Sequence, residues 1–106
     1  MQWIDFMTEH PLKIYEKLDP DLLKHVENST DFAFADGAIP RIYKLHIGMA
    51  FDASYGAVNG VKSLASQAIE AGATKEEITE ALRVAQHLSG VGCVYVGAHA
   101  LKELFG

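Results

Sequence analysis

The chain has 106 residues, 49% of them hydrophobic and 22% charged, with a formal net charge of −5. These values describe one globular domain, residues 1–106, that buries roughly two thirds of its unfolded surface, and they exclude a disordered segment. Scattered basic residues on an acidic chain give no basis for nucleic-acid binding; no apolar run nears the ~20 residues that cross a bilayer, and "MQWIDFMTEH" lacks the pattern of a signal peptide, so a cytoplasmic location is expected.

In chain order, "PLKIYEKL" predicts a helix from Pro11, and "LDPDLLKHVENSTDFAFADG" restarts with Asp19 as N-cap and Pro20 at the first helical position. Asp36 and Gly37 stop that helix. Pro40 opens a third, "PRIYKLHIGMAFDAS", apolar on nearly every side from Leu45 to Phe51, the pattern of a helix surrounded by others. The next, from about Gly56 to Ala71, places Val58, Val61, Ala65, Ala68 and Ile69 at spacings of three and four, and Gly72 supplies a left-handed stop. Thr74 and Glu77 form a capping box. Ile78, Ala81, Leu82, Ala85 and Leu88 then make an apolar stripe, "SGVGC" breaks the chain, and a last helix from about Val91 to Leu104 offers Val94, Ala98 and Leu101 to the core. No segment shows period-two alternation, so the fold class is all-α.

Three stretches, "DGAIPRIYKLHIGMAF", "YGAVNGVKSLASQAIEAGATKEEITEALRVA" and "SGVGCVYVGAHALKEL", resemble the carboxymuconolactone decarboxylase family, which includes alkyl hydroperoxidase D, over about residues 19 to 104. The resemblance implies an alkyl hydroperoxidase D-like helical protomer that assembles into a homo-oligomer, a trimer or hexamer. In the family's redox branch a C-x-x-C pair opens the helix before "GAT", a histidine follows four residues after the second cysteine, and a glutamate lies one helix earlier. Those positions are Ala57, Gly60, Leu64 and Leu45 here. None can supply a thiolate or move a proton, so thiol peroxidase or disulfide-reductase chemistry by that mechanism is not expected. The decarboxylase branch implies histidine and glutamate along the same helix, which instead carries Asn59, Lys62, Ser63 and Gln67.

Candidates for other chemistry lie on the third helix. His46 has Ile42, Met49, Ala50 and Ala53 as helical neighbours, which puts an imidazole on an apolar face, either as acid or base or as a core histidine bonded to a backbone carbonyl. Arg41, Leu45, Gly48 and Asp52 form a second stripe, on which Arg41 offers a bidentate anchor for a carboxylate and Asp52 a polarising group; the plainer reading is a surface arginine and an acid near a turn. His87 falls on the polar face and His99 beside Glu103, while His10 and His25 carry no signal. No His-x-x-x-His, Glu-x-x-His or second cysteine is present, so no metal or other cofactor is expected, and "SGVGC" lacks the strand that precedes a dinucleotide-binding loop. Cys93, the single cysteine, reads as a buried inert thiol.

Two functional readings follow. One is a lyase or isomerase acting on a small organic acid in an apolar pocket between protomers, with His46 as acid or base and Arg41 and Asp52 binding substrate. The other is a non-catalytic oligomeric member that binds a small hydrophobic ligand where the redox centre stood.

Overall fold

The computed structural model describes residues 11–106, so His10 lies outside the described residues. The chain divides into two compact units, residues 1–36 and 37–106. In the described part of the first, a 3-10 turn Pro11–Ile14 runs into a one-turn helix α1, Tyr15–Leu18, and then α2, Pro20–Phe34. The helix expected from Pro11 begins as a 3-10 turn, becomes α-helical at Tyr15 and ends at Leu18. Asp19 precedes a proline, which disfavours helical geometry at that residue, and its φ of −163° breaks the run. The same residue starts α2: Asp19 Oδ1 accepts from the Leu22 amide at 3.0 Å, with Pro20 filling the first helical position. The helix ends at Phe34, because Ala35 is already extended, one residue before the expected stop at Asp36.

The second unit holds four helices, α3 Arg41–Tyr55, α4 Val58–Glu70, α5 Lys75–Ser89 and α6 Gly92–Phe105. Gly56 closes α3 at φ +77°, a left-handed conformation that side chains rarely adopt. That use of Gly56 shortens α4 relative to the expected start, and the Ala57 amide bonds back to the Asp52 carbonyl at 2.8 Å. The capping box at the head of α5 forms in full, with Glu77 N–H donating to Thr74 Oγ1 at 3.1 Å and Thr74 N–H to Glu77 Oε1 at 2.7 Å. The described residues contain no strand, and the all-α expectation holds.

Helix α3 packs against α4, α5 and α6. Its residues Leu45 and Met49, with Val61 of α4 and Ile78 of α5, are the largest fully enclosed side chains among the described residues. Enclosure of α3 is nonetheless one-sided: Tyr43, Ile47, Phe51 and Tyr55 remain exposed, where the apolar run from Leu45 to Phe51 predicts burial all round.

Two further expectations on the packing are corrected. Helix α6 turns Cys93, Gly97, Ala100 and Leu101 inward, and leaves Val94 and Ala98 exposed. Smallness selects that face: a Cβ on Gly97 would stand 2.8 Å from Leu82 Cδ1, so the backbones of α5 and α6 approach where side chains are shortest. Leu88, assigned to the buried stripe of α5, is 76% exposed, one residue before α5 ends at Ser89.

Candidate functional site

His46 lies on the side of α3 that faces the start of α5. Its Nδ1 pairs with the Ile42 carbonyl, one turn earlier, at 2.8 Å. A carbonyl only accepts, so Nδ1 carries the proton of that bond, and in the neutral ring Nε2 is left with a lone pair. That atom is buried and has no hydrogen-bond partner. The nearby carboxylate is Glu77 of the capping box, held below its ordinary value by the Thr74 amide and then by the Thr74 hydroxyl, with a small further lowering from His46. The Ile42 bond is the one a core histidine would make, and the unbonded Nε2 is a feature that the sequence did not announce.

Arg41 and Asp52 occupy the other border of α3, the one that faces α4. Eleven residues separate them, about 16 Å along the helix axis, so they do not converge on one small molecule. Because α4 runs back along α3, each meets a different end of it. Arg41 Nη2 donates to Gln67 Oε1 at 3.0 Å, and Gln67 Nε2 donates to Ser63 Oγ at 3.3 Å. Gln67 and Ser63 are the two buried polar side chains among the described residues, 4% and 6% exposed.

Asp52 lies over the first turn of α4. A Cβ on Gly60 would stand 2.2 Å from Asp52 Oδ2 and 2.7 Å from its Cγ, so the carboxylate occupies the space that any side chain at residue 60 would need. Burial raises the Asp52 carboxyl above its ordinary value.

Of the other positions that the resemblance aligns with the redox branch, Leu45 is 1% exposed and Leu64 is buried, while Ala57 is the N-cap residue of α4 and offers no side-chain cap. Around α3, His46 stands about 140° from Arg41, with Leu45, Met49 and Ile42 between them. One protomer therefore does not bring Arg41 and His46 together.

Cys93 is buried with Sγ 3.5 Å from the Ala85 carbonyl oxygen, an enclosed thiol without a neighbouring base. His87 and His99 are exposed, and Glu103 pairs with Lys62 across α4 and α6 rather than with His99. Among the described residues no three metal-ligating side chains cluster, and no helix is long and apolar enough to cross a membrane.

The sequence reading assigned no role to Gln67 or Ser63, although both were visible as polar residues one turn apart amid Val61, Leu64, Ala65 and Ala68. The approach of Glu77 to His46 had no such signal, because it arises from packing between α3 and α5.

No curated protein sequence matches the chain. Among solved structures, the apo form of a carboxymuconolactone decarboxylase family protein from Legionella pneumophila superimposes with a TM-score of 0.81, over 94% of this chain and 88% of that one, at 23% identity. That likeness concerns the fold. The family profile for carboxymuconolactone decarboxylases matches residues 20–103, from the head of α2 to the last turn of α6, and the chain belongs to that family.

Proposed function

We infer that the chain is a thiol-independent lyase or isomerase that moves a proton on a small organic acid. The observation that carries this reading is the buried, unbonded Nε2 of His46 on a ring whose other nitrogen is held by Ile42. An orphaned polar atom inside a protein is costly unless something bonds it, and a substrate carbon or oxygen supplies what the fold withholds. His46 Nε2 takes or gives the proton, and Arg41 holds the acid's carboxylate. Since Arg41 and His46 of one chain stand on opposite borders of α3, the reading calls for a site at a boundary between protomers, where one copy's Arg41 meets another's His46, and for a side-chain movement that uncovers the buried Nε2.

The test is exchange of solvent deuterium into small unsaturated lactone acids and keto acids incubated with the protein. Exchange is expected for the parent and lost in His46→Gln, whose melting temperature stays close to the parent's. Exchange that persists in His46→Gln overturns the reading.

A second reading, a non-catalytic member that binds a small hydrophobic ligand, is supported by the closure of the redox positions. Leu45 and Leu64 are core residues, and the Asp52 carboxylate fills the room over Gly60. Binding of apolar ligands that His46→Gln leaves unchanged, with no deuterium exchange in the parent, is the outcome that favours it.

A further inference from the structure

We propose that the dipeptide Asn59–Gly60 is a modification site, at which the chain converts its own asparagine to aspartate and isoaspartate with water as the only co-reactant. The step balances within the chain. The Gly60 backbone nitrogen bonds to Asn59 Cγ, the bond from Cγ to the side-chain nitrogen breaks, and that nitrogen leaves as ammonia with the proton that the Gly60 amide gives up. The product is a five-membered succinimide ring. Water then opens one or the other of its carbonyls, which leaves an aspartate or, with the main chain rerouted through Cγ, an isoaspartate.

Three features of the head of α4 supply what this reaction needs. The first is an unhindered nucleophile, because the residue after Asn59 is a glycine with no side chain to obstruct its nitrogen. The second is that nothing else holds this nucleophile. Val58 N–H donates to the Gly56 carbonyl at 3.1 Å and Val61 N–H to the Ala57 carbonyl at 3.0 Å, while the Gly60 amide has no hydrogen bond among the described residues. Ala57, in the N-cap position, has no side-chain oxygen that could accept from it. The third is freedom to turn. Ring closure requires Asn59 to leave its helical conformation, and an uncapped first turn, with Asn59 exposed on it, opens at far less cost than a helix interior.

Asn28, the other asparagine of the chain, is the internal comparison. It is exposed as well, but it lies in the middle of α2, where the next amide belongs to the helix ladder, and the residue that follows is a serine whose side chain crowds that nitrogen. Exposure alone therefore does not select the site. The two products act differently on the corner where the Asp52 carboxylate rests against Gly60. Aspartate at residue 59 places a carboxylate in the first turn of α4, which the helix macrodipole favours. Isoaspartate adds a backbone carbon inside that turn and breaks the spacing on which the bond from Val61 to Ala57 depends.

The experiment incubates the folded full chain in mildly alkaline buffer for weeks, digests samples with trypsin and follows two peptides by mass spectrometry, Leu45–Lys62 with Asn59 and His25–Arg41 with Asn28. The first is expected to gain the mass of an oxygen in place of an NH group and to separate into aspartate and isoaspartate forms, while the second stays unchanged. Ala57→Ser supplies an acceptor for the Gly60 amide and is expected to slow the conversion of Asn59 about fivefold, the weight of one N-cap. Amide hydrogen exchange of the parent tests the same point without a variant, with Gly60 expected to exchange as fast as in an unfolded peptide. An Asn59 that stays intact, or that converts no faster than Asn28, overturns the site. A protected Gly60 amide, or a folded Ala57→Ser protein that converts at the parent's rate, overturns the claim that the open amide makes it one.

Discussion

At the scale of single residues, the site region is shaped by a missing side chain as much as by present ones. Asp52 rests on Gly60, and a side chain at residue 60 would collide with its carboxylate. Desolvation there raises the Asp52 carboxyl, which fixes the sign of its effect on stability. In the window between the unfolded and the folded value, the native state binds more protons than the unfolded one, so stability falls as the pH rises through that window. Above it the carboxylate carries a desolvation penalty. Asp52→Asn is therefore expected to raise the melting temperature at neutral pH, with the gain shrinking as the pH is lowered through the folded value and both side chains become neutral. Thermal melts of the two proteins from neutral to acid pH check this; a gain that grows in acid refutes it. None of this was visible in the sequence, where Asp52 and Gly60 are simply an acid and a glycine eight residues apart.

At the scale of elements, capped helix starts were readable, and so largely were the faces of α4 and α5, where Val61, Ala65, Ala68, Ile78, Leu82 and Ala85 are buried as expected, whereas the face of α6 was not. Asp19 with Pro20, and Thr74 with Glu77, announce their helices through local hydrogen bonds, which depend on neighbours in the chain and on nothing distant. Faces depend on partners. In α6 nearly every residue from Cys93 to Ala100 is apolar or small, so periodicity alone cannot choose a side, and the close approach of Gly97 to Leu82 makes the choice. The same holds for His46, whose apolar neighbours marked an unusual position while its unbonded Nε2 and its facing Glu77 came from the packing of α5. The cap at Thr74 has a measurable weight. Thr74→Ala removes the oxygen that accepts from the Glu77 amide and is expected to cost about 1 kcal/mol, whereas Thr74→Ser restores the acceptor and most of the stability. Chemical denaturation of the three proteins decides it, and equal losses for alanine and serine would show that the hydroxyl is not what holds the helix. Because the folded Glu77 carboxyl is held below its ordinary value, its own contribution is present above the unfolded value and is lost as the pH falls through the folded one.

At the scale of the whole molecule, the apolar residues left outside are too regular to be incidental. On α3, Tyr43, Ile47, Phe51 and Tyr55 recur every four residues and stand exposed in one row, opposite the enclosed Leu45 and Met49. Around the turn from α5 to α6, Val84, Leu88, Val91, Val94 and Tyr95 are exposed as well. Contiguous apolar rows of this kind are the surfaces that soluble proteins usually cover with a partner. A second copy of the chain is the partner always present at matching concentration, and closed symmetric assemblies are the common way to cover such a surface. The chain is therefore expected to be a homo-oligomer at micromolar concentration, with a mass by light scattering that is a multiple of the 11.6 kDa of one chain. Phe51→Asp with Ile47→Asp places two charges in the α3 row, away from His46, Arg41 and the core. If α3 forms the interface, the double variant scatters as a single chain with its helical content intact. A parent protein that scatters as a single chain defeats the expectation, and with it the boundary site that the separation of Arg41 from His46 demands.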